Sequence, residues 1–471
     1  MLETEAGDRM SIASGSQVGR KNGYSQVPSK EVATMSRNMK LRWALAISLV
    51  IAGSLLIAGP AAAQEKAQWL PLLCYRTGPY APGGSGICGG MEDYFDLINL
   101  KGGIDGVKLK WEECETAYSP PRGVECYERT KSEQGGCCVY HPISTGITYA
   151  LMERASADKI PLTSIGYGRA DAQAGGDIFP YVFPLVTTYW SQVTGKIGYI
   201  AQKEGGLDKL KGKKIALLYI DVAYGQETIP VLKALADKFG FELGLFPVPA
   251  PGLEQSAQWL DIKRRFKADW VINRNWGISC TVPLKEAARV GFPRDHIIGV
   301  WWCGSEEDVV PAGPAAKDYI TTNFHGVGQN FPVIQEILEN IYMKGKGNLP
   351  VTRVGTVYYN RGVIHGIITV EALRTAYKKF GPVPINGEQM KWALEHLNID
   401  ENRIKELGAE GFMPPLKTSP TDHEGGGWVR FQQWDGSKWV GISDWIPPMK
   451  ELVQAEVKKS AAEYAAKKGQ K

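Results

Sequence analysis

Histidine is scarce in this chain, with 6 in 471 residues. None stands in a Ser/His/Asp or metal-like spacing, and no GxSxG, HExxH or Walker A pattern occurs. These absences argue against an enzyme, a resident metal and a bound cofactor. No dense basic stripe with interleaved aromatics appears and the formal net charge is only +4, so nucleic acid is not an expected partner. No CxxC pair accompanies the 8 cysteines, which leaves zinc a weak reading. Long apolar runs are absent apart from one, Trp43 to Gly59.

That run decides the expected compartment. MSRNMKLR (35–42) supplies a basic start, the apolar run follows, and Ala61-Ala62-Ala63 precedes Gln64. This is the build of a secretory signal peptide, and the run is short for a membrane span. Residues 1–63 therefore read as an extension and leader cleaved near 63/64. Residues 1–34 are polar and unpatterned, so Met35 or Met39 competes with Met1 as the start. Cys74 follows Pro71-Leu72-Leu73 with no small residue beside it, which argues against a lipid anchor. The mature chain is expected to be soluble and periplasmic, where cysteines form disulfides.

With 44% hydrophobic and 22% charged residues, the mature chain has globular composition, and its length predicts more than one core. From Gln68 onward, apolar strand-like runs alternate with helix-like segments at βαβ spacing. The strands read as 68–74, 108–114, 136–141 and 160–165, then 213–220, 241–248, 268–273 and HIIGVWW (296–302). GPYAPGGSGICGG (78–90) reads as a loop, with a helix only from 91 to 99. Residues 330–400 read as mostly helical, and Asp435-Gly436 between alternating apolar runs signals a hairpin. Residues 449–471, rich in Lys and Ala, read as a solvated helix or tail. The fold class is α/β: two doubly wound parallel-sheet lobes, with ligands expected beyond the carboxyl ends of the strands.

The stretches GPYAP…YFDLINLKGGIDG, ETAYSPP, PISTGITYA, KIPLTSIGYG, KKIALLYIDVAYGQE, ADWVINRNWG and LKEAARVGFPRDHIIG resemble the periplasmic solute-binding proteins of ABC transporters, in the leucine/isoleucine/valine-binding branch. The resemblance covers about residues 66–445. It implies a type I periplasmic binding protein fold, with a three-segment hinge crossing near 186, 323 and 425. Lobe one would be 64–186 plus 323–425, and lobe two 187–322 plus 426–448. It further implies a monomer that closes on a small molecule and docks on a membrane permease served by an ATPase. A sensor of the same fold is the competing reading, as is a protein that binds branched-chain or other amino acids.

The resemblance places ligand contacts at Tyr80, Ser144, Thr145, Gly166, Tyr167, Gly168, Tyr224 and Trp276. From the residues alone, Ser144 opens a helix and would serve equally as its cap, and small residues in SIGYG let backbone approach a ligand. In amino-acid-binding relatives an acid near HIIGVWWCG holds the ligand ammonium. Here that position falls on Trp301, with Trp302 beside it. A buried ammonium without a counter-charge is disfavoured, so the pair predicts an aromatic or apolar ligand that keeps a carboxylate. Packing of both indoles, or cation–π binding of an ammonium, stays open at this point. Arg76 and Arg274 follow strands and are candidate carboxylate partners, with ordinary ion pairing as their alternative. Disulfides should stay within lobes, and Cys280–Cys303 is a candidate because both follow neighbouring strands.

Overall fold

The computed structural model describes residues 66–469. The leader and the choice of start lie outside the described residues. No helix among those described is long and apolar enough to cross a membrane.

The second lobe carries the clearer sheet. Its seven strands run, edge to edge, Trp439–Gly441, Arg430–Trp434, Ile320–Asn323, Ile297–Gly299, Trp270–Arg274, Lys214–Ile220 and Glu242–Val248. The last five in that row are mutually parallel. The inner strands Lys214–Ile220 and Ile297–Gly299 are mostly apolar and buried, as expected where both faces of a parallel sheet are covered. In chain order they form the doubly wound arrangement 2-1-3-4-5, whose switch point lies between Lys214–Ile220 and Trp270–Arg274. The expected hairpin joins Arg430–Trp434 to Trp439–Gly441 and adds two antiparallel strands at one edge. The sheet is therefore mixed rather than wholly parallel.

The first lobe is built from shorter parallel pairs. Ala67–Trp69 pairs with Lys108–Lys110 and Leu72–Cys74 with Glu113–Glu115. The break falls at Pro71, which has no N–H to give a ladder. Leu162–Ile165 pairs with Val182–Leu185. The strand expected at 136–141 is reduced to a single bridge, Tyr140 to Leu162. Cys137 and Cys138 are nevertheless buried free thiols.

The glycine-rich stretch read as a loop is the first half of a 20-residue helix, Ala81–Leu100. Packing, not propensity, explains it. A Cβ on Gly90 would sit 2.2 Å from the Tyr359 carbonyl oxygen, and one on Gly362 2.1 Å from that of Ile87. The glycines let this helix lie backbone to backbone on helix Val357–Phe380. Glycine's helix penalty of about 1 kcal/mol per residue is offset by that contact.

Val182–Leu185 lies in the first lobe and helix Tyr189–Glu204 packs in the second; strand Ile320–Asn323 closes the second lobe's parallel set. Two crossings are tied together: the Val186 N–H donates to the Glu424 carbonyl (2.8 Å) and the Gly427 N–H to that of Val186 (2.7 Å). The disulfides Cys74–Cys88, Cys114–Cys126 and Cys280–Cys303 each stay within one lobe, so none locks the hinge.

The C-terminal segment departs from expectation. Helix Lys450–Gly469 forms, but it is not simply solvated: Val453, Val457 and Ala461 are buried.

Candidate functional site

Where the lobes meet, a small cavity of about 10 Å³ sits at the carboxyl ends of the strands. The first lobe lines it with Tyr75, Tyr118, Ile143, Ser144, Thr145 and Tyr167, and the second with Tyr189, Tyr224, Trp276 and Trp302. Tyr224, Trp276 and Trp302 each follow the end of one of the second lobe's parallel strands, on either side of the switch point.

The first lobe's polar rim is a helix start. Ser144 caps helix Thr145–Asp158, accepting from the Ile147 N–H at 3.4 Å, and its hydroxyl still borders the cavity. Capping and a place in the cavity lining coexist there. The preceding residue, Ile143, holds φ +47, a conformation costly for a β-branched side chain. The Tyr167 hydroxyl accepts its N–H at 2.8 Å and donates to the Thr163 carbonyl at 3.1 Å. Strain of this kind concentrates at functional sites. The Gly168 N–H donates to the Thr145 hydroxyl at 3.3 Å, and Gly168 takes φ +89.

No carboxylate lines the cavity. Glu306 accepts from the Val357 N–H at 3.1 Å, and Glu307 pairs with Arg353 at 2.6 Å. Instead the walls offer donors. The Tyr75 hydroxyl and the Trp276 Nε1 are buried without a partner. Burial pushes the Tyr75 and Tyr224 hydroxyls well above the usual tyrosine range, so both stay protonated.

The two neighbouring indoles divide their work. Trp302 lines the cavity, edge-on to Trp276 with centroids 5.2 Å apart. Trp301 does not line it; it is fully buried, stacked on Tyr189 and edge-on to Phe324. Both donate their Nε1–H to one acceptor in the other lobe, the Gly166 carbonyl, at 2.7 and 3.0 Å. The first lobe answers: Arg361 donates to the Trp301 carbonyl (3.1 Å) and the Tyr358 hydroxyl to that of Trp302 (2.6 Å). The Trp-Trp turn thus ties the two lobes together and contributes Trp302 to the cavity wall. Gly166 contributes the acceptor and is not itself part of the cavity lining.

Three other expectations change. Arg76 does not reach the cavity: Glu113 and Glu92 hold its guanidinium, the latter at 2.8 Å. Tyr80 backs the site rather than lining it, stacked on Trp276 at 6.1 Å. Arg274 is buried behind the wall. It donates from Nε and Nη2 to the Tyr224 carbonyl at 3.0 and 2.7 Å, and lies 3.8 Å from the Tyr189 ring centroid. Among the described residues no acid pairs with it and its Nη1 has no partner. Tyr75, Tyr118 and Tyr189 were not anticipated. Tyr75 directly follows a strand, a signal the sequence did carry.

Trp276 reaches across the seam onto Gly83, whose added Cβ would lie 2.3 Å from the indole. Gly83→Ala should therefore weaken closure and ligand capture while leaving each lobe folded. Calorimetric binding beside thermal unfolding will check this; a binding loss matched by an equal loss of fold would refute it.

The family model described as periplasmic binding protein matches residues 70–438. The chain belongs to the periplasmic binding protein family. Its branch is that of the ABC transporter substrate-binding proteins related to leucine/isoleucine/valine-binding proteins, with the type I fold. The chain is similar to a solved structure described as an ABC transporter permease from the Pseudomonas fluorescens group. The two share 48% identity over 86% of this chain and 98% of that one, with a TM-score of 0.80. Two more distant structures share the fold. One is a branched-chain amino acid ABC transporter protein from Thermus thermophilus with bound valine, at 19% identity over 83% of this chain and 98% of that one, TM-score 0.68. The other is a solute-binding protein from R. palustris in complex with benzoate, at 19% identity over 81% and 97%, TM-score 0.63. No curated protein is a match.

Proposed function

We propose that this chain is an exported receptor of an ABC importer that captures a small aromatic or apolar carboxylate and delivers it to a membrane permease. One observation carries the reading. Ten side chains line the cavity, seven of them tyrosine or tryptophan, drawn from both lobes, and none is acidic. An α-ammonium would be buried there without a counter-charge, at a cost of several kcal/mol. A carboxylate, in contrast, meets the helix start at Ser144, the Thr145 hydroxyl and the unpartnered donors of Tyr75 and Trp276. Arg274, lacking an acid of its own, adds positive potential from behind. The remaining lining is mostly aromatic rings, suited to offset or edge contact with a ring. The benzoate complex of the R. palustris relative is in keeping with this chemistry.

Titration calorimetry of residues 64–471 against benzoate and leucine tests the reading. Benzoate is expected to bind and leucine not. Ser144→Ala should weaken benzoate by roughly tenfold or more, as for a hydrogen bond to a charged group. Binding of leucine or valine without benzoate would refute the proposal.

A further inference from the structure

Helix Lys450–Gly469 lies beyond the part of the chain that the family model matches, 70–438. It touches both lobes. At its start the Met449 N–H donates to the Thr194 hydroxyl at 3.0 Å, and the helix packs against Tyr189–Glu204 and Ile229–Phe239 of the second lobe. Val453, Val457 and Ala461, at helical i, i+4, i+8 spacing, form its buried face. Further along it grips the first lobe. Ser460 donates to Asp171 at 2.7 Å. The Tyr464 ring stacks on Phe179 (4.9 Å) and lies 4.2 Å from the Arg169 guanidinium. Asp171 and Arg169 pair with each other at 2.6 Å. They flank Ala170, whose N–H donates to Glu227 of the second lobe at 2.7 Å. The helix thus braces the turn through which the first lobe meets the second.

We propose that this helix is a strap across the seam that holds the lobes together before ligand arrives. An α-helix is stiff over its 20 residues, and the lobes cannot separate on this side while both ends of the helix keep their contacts. Opening must release either the Ser460–Tyr464 grip or the Val453–Val457 face. A receptor with a pre-populated closed form binds ligand more tightly, because less of the ligand's binding energy is spent on closure. The strap would therefore set affinity without touching the ligand.

The inference rests on the two lobes opening and closing, not on the ligand's identity, so its test uses no ligand and is independent of whether benzoate binds. Small-angle X-ray scattering compares residues 64–471 with two variants: a chain ending at Met449, and the full-length Ser460→Ala/Tyr464→Ala double variant. At pH 5.5 the full chain is expected to scatter as the closed structure does. Both variants should show a larger radius of gyration, with the closed-to-open ratio falling roughly tenfold or more. Circular dichroism confirms their fold; if the truncation misfolds, the double variant decides, since it keeps the helix and its second-lobe face. Scattering unchanged in the variants, or a full chain that is already open, would overturn the strap.

Discussion

Trp301→Ala is expected to cost about 3–5 kcal/mol of stability, the range for a large aromatic removed from a core, and to abolish the closed state. Trp301 has 0% exposure. Its indole lies between Tyr189 and Phe324, with centroids at 5.8 and 5.0 Å, so its loss leaves a void bounded by both lobes. The Gly166 carbonyl would keep only the Trp302 N–H. Trp301→Phe separates the two roles. It retains most of the packing and loses one neutral hydrogen bond, worth about 1 kcal/mol, so it should loosen closure with a small effect on stability. Trp302→Ala should reverse the order: less damage to the fold, more to ligand affinity, because Trp302 borders the cavity. Guanidinium unfolding and calorimetry on the three variants check the ranking. A Trp301→Ala protein within about 1 kcal/mol of the parent would show that the indole is not the keystone of the seam.

This division of labour between adjacent tryptophans marks where sequence reading stops. The alternation of strands and helices placed the cleft at the strand ends, and Tyr224, Trp276 and Trp302 do line it. Periodicity reports which element a residue ends, but not whether its side chain faces ligand or the opposite lobe. Trp301 and Trp302 differ by one residue on a tight turn, and that step sends one ring into the seam and the other to the cavity. The helix Ala81–Leu100 was illegible for a different reason. Local propensity argues against helix in GPYAPGGSGICGG, and the compensating contact with Tyr359 and Gly362 comes from residues far along the chain. The strand expected at GCCVYH failed because apolar runs are buried equally well without a ladder. The sequence left Arg76 open between a ligand contact and an ion pair because its partner Glu113 lies on a neighbouring strand, which no linear spacing reveals. Tyr189 was hidden by its place, just past a crossing, where the chain's change of lobe turns a helix start into a cleft wall.

Closure should also respond to pH. Two carboxylates of the second lobe accept amides of the first: Glu227 from Ala170 and Glu306 from Val357. Burial pushes Glu227 up to about 7, with Asp171 adding to the rise and the Tyr149 hydroxyl, the Ala170 N–H and Arg274 opposing it. Burial likewise pushes Glu306 up to about 7, with Glu307 adding and the Val357 N–H and the Ser305 hydroxyl opposing. In an open form both regain water and fall back toward the ordinary carboxylate value near 4.3. The closed form therefore binds protons more tightly than the open one. Closure is hardest above pH 7, where both groups must be buried ionised, and that penalty fades as pH falls from about 7 toward 4.5. Between those limits the apparent association constant for benzoate should drop as pH rises, by up to about tenfold per unit for each carboxylate. Benzoate itself, an ordinary carboxylate, is largely ionised above pH 5.5, so the range 5.5 to 8 isolates the protein's contribution. Calorimetry in buffers of different ionisation enthalpy should register proton uptake on binding. Glu227→Gln keeps an acceptor for the Ala170 N–H without the charge, and should bind more tightly than the parent at pH 8 and no differently at pH 5. An affinity that is flat or rises with pH in the parent would show that neither carboxylate is neutralised when the lobes meet.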